Sequence, residues 1–443
     1  MRQIDANTLA ALSGSRSGDS LTVWAWYGGQ LTLEEQLPVT AAHFDWDDTR
    51  QIQTLSLSLN DKDGTLAPWL LEDKLGAGGS RVQCIYNVGG AGSVNMGWYR
   101  VTHPAPAERW VGYKIDEAGT ITPDTAIEPG KRLVHVPGGT VLQLDCEDLA
   151  TVIAKNVFPA PESPQGATPT IIGEIIRIVG DICPVVTTPG VVDQPVNRTL
   201  VYQGDRLNAL QDLCKRINCD YRFNGAGQFE IYSLTPQTPV ATLKGGREGL
   251  LVQVDREQKY DGLYNEFYAE GQYQTTDSTG AQTQVPIRGY AAITAGPLRV
   301  TGPHGRYPKQ YSSTMLTNQA DCDAYAITMR DTQLAGLTQD LKVTCLPLPH
   351  LQQGDWVTVY NAVVDGRVLA VTGRVKTMAL GFTNGAPEMM TLTVSCSYTD
   401  VQAAFAGTTN LSLAGPMNQT GQVPRLPLTP GLTLRPGFLQ PAG

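Results

Sequence analysis

Charge is scarce in this sequence. Asp, Glu, Lys and Arg make up 17% of its 443 residues, against roughly 25% in ordinary soluble domains. What charge there is leans acidic, with 42 Asp and Glu against 33 Lys and Arg, a formal net charge of −9. That balance excludes a nucleic-acid-coating surface, which needs clustered excess cation. Long apolar runs are missing too. Nothing approaches the roughly 18 uninterrupted apolar residues of a membrane span, and the opening MRQIDANTLAALSGS has no sustained apolar stretch of the secretory kind. Eight cysteines in a chain this long are no disulfide scaffold, so buried free thiols are expected. Cys214 and Cys219 form C-x4-C, but no histidine follows nearby, and no zinc site is predicted.

Catalytic patterns are equally thin. His43, His103, His135, His304 and His350 are dispersed, and none forms H-x-x-x-H or H-E-x-x-H. No nucleophile-elbow pattern accompanies them. Asn60-Asp61-Lys62-Asp63-Gly64 puts leucines where a calcium loop needs its first and last ligands, so it reads as a turn. Gly89-Gly90-Ala91-Gly92 lacks dinucleotide spacing, and Gly130-Lys131 has no upstream glycine at P-loop spacing. Asp45-Trp46-Asp47-Asp48 holds carboxylates near one another, but a solvated loop beside a strand is the favoured reading. No catalytic, cofactor-binding or metal-binding residue is predicted, no cofactor is expected, and the chain reads as a non-enzyme.

What is present is strand pattern and turn chemistry, with 46 Gly and 29 Pro. In residues 54–59, leucines at 55, 57 and 59 alternate with Thr and Ser, the mark of a half-buried antiparallel strand. Further strands are predicted at 22–27, 82–86, 97–102 and 141–144. The fold class is therefore β-rich α+β. Residues 1–146 read as a first β domain, a barrel or sandwich. Residues 147–247 read as a small α+β lobe. Asp145 is expected to cap a short helix, Pro169 to sit in the first turn of a helix carrying Ile171 to Val179, and Asp205 to start a helix with Leu207, Leu210, Cys214 and Ile217 on one stripe. A hairpin turns at 224–227. Residues 248–400 read as a second β domain interrupted by one helix from about Asn318 to Ala335, stopped by Gly336. Residues 401–443 hold no acid, two arginines (Arg425 and Arg435) and many prolines, and read as an extended arm.

The second β domain carries text with a resemblance. Its order is Tyr264-Asn265 opening a strand, Pro286-Ile287-Arg288-Gly289, a helix with Ala320, Ala324 and Ala326, Gln353-Gly354-Asp355, and Gly373-Arg374-Val375. This order, with the lobe around Gly204-Asp205 and 221–232 between two β domains, resembles the hub proteins of phage tail tips and baseplates, including siphophage minor tail proteins, over roughly residues 20–400. The resemblance implies two tube-like antiparallel barrels with an inserted lobe, and a homotrimer presenting six similar faces to a sixfold tail ring. It implies a structural, non-enzymatic role at the virion tail tip. The partners it implies are other copies of the chain, the distal tail protein or tail-tube ring, the tape measure protein and a central fibre, with genomic DNA passing in transit. The rival reading is a carbohydrate-binding receptor protein of the same tip, stacking sugars on Trp24, Trp26 or Trp46.

Overall fold

Alternation of apolar and polar side chains builds most of this chain, because a strand with one face in a core buries every second residue. The structure, a computed structural model, describes residues 1–14, 17–28, 30–31, 36–48, 52–61, 65–107, 113–115, 121–123, 140–198, 200–246, 249–257, 262–276, 282–313, 316–362 and 368–406. A short helix α1 (Ala6–Leu12), capped by Asp5, leads into strands β1 (Ser20–Tyr27), β2 (Gln30–Leu31), β3 (Val39–Asp47), β4 (Thr54–Asp61), β5 (Arg81–Val88) and β6 (Gly92–Ala107). A two-stranded ribbon, β7 (Tyr113–Ile115) and β8 (Ile121–Pro123), precedes β9 (Thr140–Asp148). In β4, Leu55, Leu57 and Leu59 are buried as the alternation predicts.

The lobe follows, with α2 (Ala150–Lys155), α3 (Ile171–Val179), β10 (Val185–Thr187), α4 (Arg206–Arg216) and the hairpin β11 (Cys219–Phe223) and β12 (Phe229–Ser233). Asp205 caps α4 by accepting from the Leu207 amide. Leu207, Leu210, Cys214 and Ile217 are buried as expected. Two expectations are corrected. Asp145 caps nothing: it lies on the exposed face of β9, which runs on to Asp148, where the Asp148 carboxylate accepts from the Ala150 amide. Pro169 precedes α3, whose cap is Thr170.

The remaining strands are β13 (Ala241–Leu243), β14 (Leu251–Glu257), β15 (Glu266–Thr276), β16 (Gln282–Ala292), β17 (Pro308–Ser312), β18 (Thr338–Cys345), β19 (Trp356–Ala362), β20 (Val368–Thr383), β21 (Ala386–Pro387) and β22 (Met390–Ser397). The predicted helix is α5 (Gln319–Ala335), capped by the Asn318 side chain and closed at Gly336. Strands β15 to β17 form a separate small sheet under α5, with small cores of their own. At Gly289 a Cβ would lie 2.2 Å from the Cys322 backbone, so only glycine lets α5 approach. Helix α6 (Tyr398–Ala406) takes up 401–406 and buries Val401 on the core. The rest of the segment expected as an extended arm, 407–443, lies outside the described residues, as do His135 and Gly130-Lys131.

The two β segments form one hydrogen-bonded sheet and share one core. Eight strands run in the order β14-β18-β22-β20-β3-β4-β9-β6, and the halves match as a repeat. In each quartet the strands stand in the chain order first, second, fourth, third. The first two strands slip register between Val39 and Ala41 in one half, and between Leu251 and Gln253 in the other. The last two slip between Val101 and His103, and between Val375 and Thr377. Both β6 and β20 are 16 residues long, each formed into a hairpin with the strand before it. Even the bond that ends each hairpin repeats: Val101 N–H donates to Ser80 O at 3.0 Å, and Val375 N–H to Asp355 O at 2.8 Å. Bulges are specific features of a strand pair, so their coincidence makes the halves structural copies.

Candidate assembly and channel surfaces

Because the core takes one face of the eight-stranded run, the other face is left to solvent. It carries Thr54, Ser56 and Ser58 of β4, Gln143 and Asp145 of β9, Thr391 and Thr393 of β22, and Thr344 of β18. Hydroxyls and amides bond across the strands: Ser58 to Gln143 at 2.9 Å, Thr377 to Thr393 at 2.7 Å. Carboxylates outnumber cations on this face, with Asp45, Asp47, Asp145, Glu147, Asp255, Glu257 and Asp340 against Arg100, Lys342, Arg374 and Lys376. Lys342 pairs with Glu257 at 2.9 Å and Lys376 with Asp340 at 3.5 Å, so the excess acid lies on the β3-β4-β9-β6 half. A face of this kind offers polyanions no cation cluster to hold them.

The seam between the halves joins 377–383 of β20 to 41–47 of β3. The matching length of β6, 103–107, is paired to β9 on one edge and, among the described residues, to nothing on the other. On the outer edge of β14, Leu251 N–H donates to Lys244 O at 3.1 Å, and residues 253–256 have no strand partner on that side among the described residues. Unpaired edges of this length are templates for strand addition.

The lobe is fastened across the back of the sheet by buried charge. Arg222 of β11 donates to Asp355 at 3.0 Å and to the Gln353 carbonyl, its Nε meets Glu230, and its guanidinium lies 5.0 Å over the Tyr232 ring. Burial alone would lower the Arg222 pKa, but Asp355 and Glu230 outweigh it and hold it above the usual value. Asp355 also accepts from the Met1 amine at 2.7 Å. Arg2, wholly buried, bonds the carbonyls of Pro349 and Leu351 and lies over Trp46. Burial pulls its pKa down to about 10. A cavity of about 240 Å3 beside this junction is lined by amides, among them Gln3, Asn95, Gln228 and Gln352.

Asp148 sits at the same junction, 5% exposed, its carboxyl pushed up to about 8 by burial against the pull of the Ala150 and Gln53 amides. A carboxyl raised in the fold binds its proton more tightly folded than unfolded. Its stabilising effect is therefore complete below about 4 and lost as pH climbs through about 8. Asp148→Asn keeps an acceptor for Ala150 and removes the ionisation. The variant's unfolding free energy, read from urea melts, should decline less than the wild type's between about pH 5 and 9, the difference reaching a few kcal/mol and no more than ~1.4 kcal/mol per pH unit. Parallel pH curves for the two proteins would show that Asp148 does not titrate there.

The motifs singled out in the sequence are not brought together. Trp46 is 6% exposed, stacked on Phe44 with centroids 5.1 Å apart, and bonded to the Tyr99 hydroxyl. A ring so covered offers no sugar platform. Trp24 and Trp26 are half-buried, and Trp26 packs edge-on to Trp98. The expected loop at 45–48 is corrected: Asp45 and Asp47 lie within β3 on its open face, because Phe44 and Trp46 alternate into the core, whereas Asp48 turns into a pair with Arg374 at 2.9 Å. Cys214 and Cys219 are buried free thiols raised above the usual range by burial. Among the described residues, no three ligating side chains cluster as a metal site, and no helix is long and apolar enough to cross a membrane.

No family model matches this sequence, and no curated protein does. Solved structures match in fold. A tail protein from Neisseria meningitidis MC58 superposes with a TM-score of 0.53 at 12% identity, covering 87% of this chain and 99% of that one. The 43 kDa tail protein of prophage MuSo2 from Shewanella oneidensis does so with a TM-score of 0.54 at 13% identity, covering 85% and 98%. The chain has the fold of phage tail proteins.

Proposed function

We propose that this chain is a tail-tip or baseplate hub: a non-enzymatic structural protein forming a homotrimeric ring that adapts a sixfold tail tube to a threefold tip and lines the path of the ejected genome. The observation that carries the reading is the repeat. Two matched strand quartets already join edge to edge within one chain, and among the described residues 103–107 of β6 and 253–256 of β14 each lack a second strand partner. Head-to-tail contacts that repeat this seam close a ring, and three chains present six near-equivalent quartets. The open face, rich in hydroxyls and acids, suits passage of DNA without retention.

On this reading residues 1–146 and 248–400 are tube-like barrels, 147–247 an inserted lobe, and the arm expected over 401–443 begins after helix α6. The partners are the distal tail protein or tail-tube ring, the tape measure protein and a central fibre, at the tip of the virion. The test is mass in solution together with amide exchange at the edges. The expected outcome is a species of three copies in which amides of 103–107 and β14 exchange slowly, becoming fast on dilution to monomer. A chain that stays monomeric at high concentration, and with its tail partners present, would refute the ring.

A further inference from the structure

The loop joining β4 to β5 presents Trp69, Leu70 and Leu71 in succession, 82%, 59% and 69% exposed. Three consecutive large apolar side chains at such exposure stand apart from singly scattered surface hydrophobics. The loop that carries them is tightly built. The Asp73 carboxylate accepts from the Trp69 and Leu70 amides at 2.6 and 2.7 Å, and Gly78 N–H donates to Leu71 O at 2.9 Å. A Cβ at Gly78 would sit 2.2 Å from Leu71 O, and Leu75 is buried in the core beneath. The triad is held in place before any partner arrives, which removes much of the ordering cost of binding.

Its counterpart in the other repeat is the crossing 346–355. There Leu348 and Leu351 are buried, and Arg2 clasps the crossing across the seam through Pro349 O and Leu351 O, with a longer bond to Met96 O. The crossing of one repeat therefore leans on the repeat beyond the seam. The first repeat's loop ends at Ser80, which accepts from Val101 N–H beside the length of β6, 103–107, that has no second strand partner among the described residues.

Carrying the register of the internal seam over to that edge puts Ala105 opposite Glu257 of a second copy. Glu257 borders a groove of about 230 Å3 lined mainly by Leu263, Pro297, Leu298, Leu337 and Tyr398, at the end of the other unpaired edge. We propose that Trp69, Leu70 and Leu71 of one copy seat in this groove of the next, forming the apolar anchor of a head-to-tail subunit contact. The proposal rests on the ring reading and adds which side chains hold it. Buried aromatic anchors of this kind dominate interface energies.

The test uses the full-length chain. Trp69→Ser/Leu70→Ser/Leu71→Ser should leave the monomer's melting temperature unchanged, because the three side chains are exposed. It should raise the subunit dissociation constant measured by sedimentation about 30-fold or more. Leu70→Cys with Leu298→Cys should give intermolecular disulfides on mild oxidation, and either single variant should not. An intact ring in the triple variant, or rings that never cross-link, would overturn the contact and leave the ring reading standing, whatever else the triad then proved to touch. Wild-type protein that forms no ring would overturn both.

Discussion

Leu57→Asp is expected to abolish soluble, folded protein. Leu57 lies mid-strand in β4, 1% exposed, between β3 and β9 in the shared core. A carboxylate there has neither water nor a cation, and burying a lone charge costs more than the net stability of most domains. Its neighbour supplies the control. Ser56 points to the open face, within 3.4 Å of Asp145, so Ser56→Lys should fold with stability within about 1 kcal/mol of wild type. Comparing soluble yield and far-UV dichroism of the two variants checks the orientation of the strand. Normal folding of Leu57→Asp would mean that the face assignment is wrong.

The second large effect is expected at Asp355. Removing it leaves Arg222 buried with Glu230 as its remaining carboxylate, and also strips an acceptor from the Met1 amine and the Gln352 amide. Breaking a buried pair from one side costs about 3–5 kcal/mol, whereas exchanging both partners for apolar groups can be neutral. Asp355→Ala should therefore lower the urea midpoint by that equivalent. Arg222→Met/Asp355→Leu should recover most of the loss. Equal destabilisation by the single and double changes would show that packing, and not the unpaired guanidinium, sets the cost.

The sequence made the local rules legible. The leucine alternation in β4 could be read because one face is solvated. Helix α5 was delimited at both ends by Asn318 and Gly336, since capping is short-range chemistry. The expected fold class, β-rich with a helix-and-hairpin lobe, agrees with the structure. Asp145 was misread because an acid before an apolar stretch looks the same whether it caps a helix or faces solvent on a strand. Strand β10 was missed because three residues carry no periodicity. The repeat was illegible for a different reason: its marks are bulges and register, and the identical residues it matches, such as Arg100-Val101 with Arg374-Val375 and Leu144 with Leu392, are too few and too scattered to stand out along the chain. The seam and the Arg222–Asp355 pair join positions far apart in the chain, which no window along the sequence spans. The absence of a predicted catalytic residue left the candidate surfaces to be found from edges and faces, which exist only once strands are ordered in space.

The eight cysteines, all buried and unbridged, are divided among the cores. Cys84, Cys146, Cys345 and Cys396 lie in the core shared by the two repeats, Cys183, Cys214 and Cys219 in the lobe, and Cys322 under α5. A thiol reagent reaches such groups only when the surrounding structure opens. Timed labelling read by intact mass would thus display the opening of each unit as a separate step, one adduct for the small sheet, three for the lobe and four for the fused core. The native chain already carries the reporters for its own order of unfolding.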